Sequence, residues 1–158
     1  MDCAASGPAR LHALSRLLRR LPAWVVAASF LFLAAPAVHA ASVVARVDLS
    51  EQRMSVTIDG KLAHLWRVST GTKGYRTPTG SYRPFRLERY WHSRKYDGPM
   101  PHSVFFRGGY AIHGTNAIRQ LGRPASHGCV RLHPDHARTF FNLVRRNGFA
   151  ATRIVIVP

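Results

Sequence analysis

From residue 43 onward, apolar side chains recur at every second position. Val43, Ala45, Val47 and Leu49 alternate with Arg46 and Asp48, and Met54, Val56 and Ile58 resume the alternation after Ser50-Glu51-Gln52. A period of two puts one set of side chains on one face of a strand, so these two runs predict a β-hairpin. Asp59-Gly60 is a strong two-residue turn signal and predicts a third strand over about Leu62 to Val68. Gly71, Gly74, Pro78 and Gly80 then punctuate a loop, and Ser81 to Leu87 reads as a strand that Pro84 confines to an edge or a bulge. Residues 88–102 show no period and read as an irregular loop. Short strands are expected at Val104 to Phe106, at Tyr110 to His113 around Arg107-Gly108-Gly109, and at Val130 to Leu132. The period lengthens once. Ala137, Phe140, Phe141 and Val144 stand at i, i+3, i+4 and i+7 between Pro134, suited to a first helical position, and Gly148, suited to a stop. Arg145 and Arg146 favour the last turn through the helix dipole. A strand over Arg153 to Val157 closes the chain. The pattern is mainly β with one helix in the C-terminal region, in one domain without internal repeats.

Residues 1–40 follow another logic. Arg10, Arg16, Arg19 and Arg20 precede an apolar run from Leu21 to Ala35, and Val38-His39-Ala40 supplies a small-x-small cleavage site. We read this as an export signal cut after Ala40, which assigns 41–158 to the working domain and directs it to the periplasm or cell wall. The run is shorter than the ~20 apolar residues of a membrane span and is flanked by Pro22 and Pro36. An uncleaved anchor is the alternative, and would be the only link to a membrane. Removing 1–40 leaves 118 residues, enough for one core. They carry 19 Lys and Arg against six Asp and Glu, a net charge of about +13. Such a field favours anionic partners. For an exported chain this means carboxylate-rich wall polymer or lipid headgroups rather than nucleic acid.

Export also changes the meaning of cysteine. Cys129 is the only cysteine after residue 40, in a compartment where thiols usually pair. It is either a buried inert residue or a group kept for chemistry. Its surroundings favour chemistry: Ser126-His127-Gly128-Cys129-Val130-Arg131 contains it, and Ile112-His113-Gly114-Thr115 lies upstream, with His113 16 positions before Cys129. A thiol titrates near ~8.5, and an imidazolium from His113 or His127, or a positive field, is expected to lower that value and supply a thiolate nucleophile. In an extended chain His127 would share a face with Cys129. Gly128 leaves room for the N–H groups of Gly128 and Cys129 to face a developing oxyanion. Tyr90, Trp91, Tyr96 and Met100 crowd the 88–102 loop, which either lines a site or packs its aromatics on the surface. A zinc site from His113, His127 and Cys129, or from His133 and His136, is the rival. No well-spaced set of four ligands supports it, so neither metal nor cofactor is expected.

The run Ala111-Ile112-His113-Gly114, followed by Leu121-Gly122-Arg123-Pro124-Ala125-Ser126-His127-Gly128-Cys129-Val130-Arg131-Leu132, closely resembles the YkuD-type L,D-transpeptidase catalytic domain. Val68-Ser69-Thr70-Gly71, Thr77-Pro78-Thr79-Gly80 and Met100-Pro101 before Phe105-Phe106 extend the resemblance over residues 41–158. It implies a mixed β-sandwich or barrel-like fold with the cysteine at the base of a cleft, and a penicillin-insensitive acyl transfer on peptidoglycan stem peptides. Cys129 would attack the carbonyl of the diamino acid in a tetrapeptide stem, releasing D-alanine. The acyl-thioester would pass to an amine of another stem, of an outer-membrane lipoprotein or of a barrel protein. His113 would be the base, oriented by the Gly114 carbonyl, with His127 and Gly128 shaping the oxyanion site and Ser126 supporting it. Arg131 stands where many relatives carry Asn and would hold a stem carboxylate; Tyr96 and Met100 are the other candidate substrate contacts. Two alternatives stay open: the same site working as an L,D-carboxypeptidase with water as acceptor, and a non-catalytic basic wall-binding module.

Overall fold

The computed structural model describes residues 42–158, so the proposed signal segment lies outside the described residues. Strands β1 (Val43–Asp48), β2 (Arg53–Ile58) and β3 (Lys61–Arg67) form the expected antiparallel meander. Asp59 and Gly60 both have positive φ, 50° and 77°, as a twist-matched two-residue turn requires. The alternation is visible in the burial: Val43, Ala45, Val47, Met54 and Val56 are fully buried. The last strand, β9 (Thr152–Val157), lies parallel to β1, and the short β4 (Gly80–Tyr82) pairs antiparallel with β9. The sheet order is β3-β2-β1-β9-β4.

A second sheet, β5-β6-β7-β8, holds β5 (Arg86–Ser93), β6 (Gly98–Arg107), β7 (Tyr110–Gly114) and β8 (Val130–Leu132). Here two expectations fail. Ser81 to Leu87 is not one strand, because Arg83-Pro84-Phe85 breaks it into β4 and the start of β5, in different sheets. Residues 88–102 are not an irregular loop: they are most of a long hairpin, with Tyr90 opposite Pro101 and Trp91 opposite Met100. Pro99 and Pro101 concealed it. They are tolerated because β7 pairs only with Val104, Phe105 and Arg107, so the proline-bearing half of β6 is an edge on that side.

The single α-helix among the described residues, α1 (Pro134–Asn147), has the predicted limits, with His133 as N-cap and Gly148 (φ 83°) as C-cap. It packs on β6, β7 and β1. Its Ala137, Phe140, Phe141, Leu143 and Val144 enter a core shared with Val43, Val47, Met54, Val104, Ile112, Val130, Leu132 and Ile154. The two sheets and the helix enclose this core as a sandwich, in agreement with the expected fold class. A smaller cluster of Met100, Phe105 and Ala111 lies apart from it, and Trp91 and Cys129 pack against that cluster.

Candidate active site

Adjacent parallel strands bring the two motifs together. β7 and β8 pair with Ile112 opposite Val130 and His113 opposite Arg131, which sets Cys129 at the head of β8 beside the histidine strand. Segment 68–72 pins the cysteine loop from the other side: Ser69 and Arg131 exchange two backbone hydrogen bonds (3.0 and 2.8 Å), and Thr72 N–H donates to the Ser126 carbonyl (3.0 Å). Gly71 is glycine for a steric reason, since a Cβ there would collide with the backbone of Tyr75 and Thr77.

His113 is 5% exposed, and its Nδ1 donates to the Gly114 carbonyl at 2.7 Å. A carbonyl can only accept, so in the neutral ring the proton sits on Nδ1 and Nε2 is the unprotonated nitrogen. Burial drives the pKa of His113 down to about 4, with the nearby Arg131 charge adding to the effect and the Gly114 bond opposing it. Burial also pushes the Cys129 thiol up, opposed by a backbone hydrogen bond from Ala111 and by the Arg131 charge. The expectation of a depressed thiol pKa is therefore corrected. Burial favours the neutral form of each group, so the resting pair is thiol and imidazole.

Residues 126–129 are also not extended. They form a tight bend with Gly128 at φ 109°, where an added Cβ would lie 2.6 Å from the Tyr110 ring. Ser126 Oγ closes the bend: it accepts from Gly128 N–H (3.0 Å) and donates to the Cys129 carbonyl (2.6 Å). Gly128 N–H is thus occupied, which corrects its assignment as a free oxyanion donor. His127, expected to share a face with Cys129, is exposed and stacks on Tyr96 (ring centroids 4.4 Å apart, planes 8° apart) with the edge of Tyr75 against it (4.6 Å).

Two chambers open on the thiol. One, of about 290 Å³, is lined by His113, Cys129, Arg131, Thr115 and Asn116 among others. The other, of about 440 Å³, is lined by Arg86, Arg94, Lys95, Trp91, Phe105 and Tyr110 among others. Ser93, Tyr96, Met100, His127 and Cys129 belong to both, so the Tyr96–His127 stack and Met100 stand at their boundary. Arg131 reaches the first chamber while donating to Gln120 Oε1 (3.0 Å) and the Ala125 carbonyl (3.2 Å). Asn116 was not singled out from sequence; it lies two residues after β7, and its place after the histidine motif was the available signal. His133 and His136 lie away from the chambers. His133 Nδ1 caps α1 by accepting from Asp135 N–H (3.3 Å), and His136 stacks on Trp66 (5.0 Å). Among the described residues no three His, Cys, Asp or Glu side chains group as metal ligands would.

Residues 42–156 match the family model of the YkuD L,D-transpeptidase catalytic domain. The chain belongs to this family. It is similar to the L,D-transpeptidase candidate YqjB of Bacillus subtilis (strain 168), at 27% identity over 124 residues that cover 70% of this chain and 68% of the relative. Among solved structures it is similar to an L,D-transpeptidase from Stackebrandtia nassauensis (28% identity, TM-score 0.65, 74% of this chain and 56% of that one). A Mycobacterium smegmatis L,D-transpeptidase shares the fold at TM-score 0.67 and 23% identity, over 75% of this chain and 59% of that one. The chain thus spans less than two thirds of these solved relatives. Family membership makes the fold that of an L,D-transpeptidase catalytic domain.

Proposed function

We propose that this L,D-transpeptidase domain works through Cys129 as nucleophile and His113 as base, in the periplasm or wall after export. The observation that carries this is the pairing, in one chamber, of a half-buried thiol with a buried neutral imidazole whose free nitrogen is Nε2. A neutral imidazole is the competent form of a general base, and a pKa of about 4 keeps it in that form throughout the neutral range. His113 Nε2 takes the thiol proton as sulfur attacks the carbonyl of the third stem residue. The oxyanion forms beside Cys129 N–H, held in place by the Ser126 clasp. His113 then gives its proton to the departing amine of D-alanine, the C–N bond breaks, and an acyl-thioester remains. An incoming amine forms a new C–N bond, its proton passes to His113, and the thiol is regenerated as the C–S bond breaks.

The two chambers favour amine over water as acceptor. The donor stem lies in the His113 chamber, with Arg131 available to a stem carboxylate. The second chamber admits a separate molecule to the other side of the thioester. Arg94 and Lys95, which pair with no carboxylate among the described residues, disfavour a protonated ammonium there and favour the neutral amine that can attack. Tyr96 and Met100 contact both substrates from the boundary, and His127 holds Tyr96 in place.

The test is incubation of the full chain with tetrapeptide muropeptides and mass spectrometry of the products, with Cys129→Ala alongside. Cysteine-dependent dimers that have lost D-alanine are expected. Cross-links that persist in Cys129→Ala would sink the proposal; tripeptide without dimer would assign water as the acceptor; and salt-sensitive wall binding without turnover would assign a binding module. A carbapenem, with its strained carbonyl, should add its mass at Cys129.

A further inference from the structure

Gln52 ends the turn between β1 and β2, outside both chambers and outside every motif that points to the chemistry. Its backbone is at φ 50°, a left-handed conformation in which Gly or Asn is at ease and glutamine is not. The turn alone therefore does not account for a glutamine here. The side chain does. It is 4% exposed and all its polar atoms are used: Nε2 donates to the Leu49 carbonyl (2.7 Å) and to Thr70 Oγ1 (2.6 Å), and Oε1 accepts from Thr70 N–H (3.0 Å). The Gln52 carbonyl also accepts from Val68 N–H (2.9 Å). Thr70 is thus gripped at both amide and hydroxyl by one planar group.

Thr70 is the pivot of the cysteine loop. Its carbonyl accepts from both Ala125 N–H and Ser126 N–H, each at 2.9 Å. Ser126 in turn clasps Gly128 N–H and the Cys129 carbonyl. A hydrogen-bonded route therefore runs from Gln52 through Thr70 and Ser126 to Cys129, with no link longer than 3.0 Å.

The geometry points to Gln52 as a positioning residue for the Cys129 nucleophile: its carboxamide fixes Thr70, and Thr70 fixes the bend that presents the thiol to His113. The inference rests on the function proposed above for Cys129 and His113. It separates two roles that a purely structural residue would combine. Placing glycine at 52 relaxes the turn and removes the grip, so the fold is retained while the thiol loses its alignment. A misplacement of about 1 Å at a reacting centre lowers the rate on the order of 100-fold.

The experiment uses the full chain as wild type, Gln52→Gly and Gln52→Glu. It measures the single-turnover rate of D-alanine release, the donor KM, and the iodoacetamide alkylation rate at Cys129 read from its peptide mass. Gln52→Gly should melt cooperatively, keep the donor KM within about twofold and lose roughly 10- to 100-fold in the acylation rate. Gln52→Glu places a carboxyl in a buried site, which raises its pKa; the protonated acid keeps one acceptor and one of the two donors of the amide, enough to hold Thr70 at both N–H and Oγ1 while giving up the bond to the Leu49 carbonyl. Its acylation rate relative to wild type should therefore climb as pH falls from 8 to 5. A folded Gln52→Gly with the wild-type acylation rate overturns the inference. So does a Gln52→Glu profile parallel to wild type, which decides the matter if Gln52→Gly does not fold. If the wild type forms no acyl-enzyme, the proposed function fails on its own. The alkylation rate then tests the positioning, supporting it if Gln52→Gly shifts that rate and overturning it if not.

Discussion

The chambers on either side of Cys129 differ in kind. The His113 side is small and holds a buried neutral base, and its one cation, Arg131, is already committed to Gln120 and Ala125. The opposite side is larger and carries three cations. Arg86 is laid over Trp91 (4.3 Å) with its Nε bonded to Glu88 (2.9 Å), and Lys95 lies over Tyr96 (5.2 Å). In the proposed reaction, a thiol at such a boundary would meet a buried neutral base on the side of proton transfer and positive potential on the side of the second reactant. Under the proposed function, the contrast would let one cysteine serve two half-reactions without moving.

That comparison can be broken from the His113 side first. His113→Gln keeps a side chain that can bond the Gly114 carbonyl but removes the base. Acylation should fall about 1,000-fold while donor KM changes little, as read by single-turnover D-alanine release. The same histidine gives the domain a pH signature. Its folded pKa, about 4, lies below its ordinary value of 6.5, so its contribution to stability is complete above about pH 6.5 and is lost as pH falls through 4. The loss is about 3 kcal/mol, and urea unfolding of wild type against His113→Gln at pH 7 and pH 4 isolates it.

Gly128→Ala attacks the bend itself. It sets a Cβ at a left-handed φ and against the Tyr110 ring, and should destabilise by about 2 kcal/mol with a larger loss of acylation, checked by thermal melts and turnover. The smallest effect is expected at the boundary. Tyr96→Ala removes the ring stacked on His127 and merges the chambers, and a stacked aromatic pair contributes about 1 kcal/mol. Both donor and acceptor KM should rise roughly fivefold with kcat preserved, whereas a change in one KM alone would assign Tyr96 to a single chamber.

Local pattern alone determined a good part of this molecule. The period-two runs from Val43 to Ile58, the Asp59-Gly60 turn and the Pro134-to-Gly148 helix were legible because propensity, capping and burial agree at each of them. The histidine and cysteine motifs were legible because few other uses explain an unpaired cysteine inside Ser-His-Gly-Cys. The β5–β6 hairpin was hidden, since Pro99 and Pro101 argue against a strand until it is known that the strand has a free edge. The electrostatic state of the site was hidden too. Composition counts charges, and a basic chain beside two histidines reads as a field that ionises a thiol. Burial of His113 and Cys129 reverses that, because desolvation depends on which strands cover them. The same holds for the Gly128 N–H taken by Ser126 and for Gln52, 77 positions before the cysteine it supports. Residue order decides what a segment can form alone. Which groups are dry, occupied or aligned follows only from the segments that pack around them.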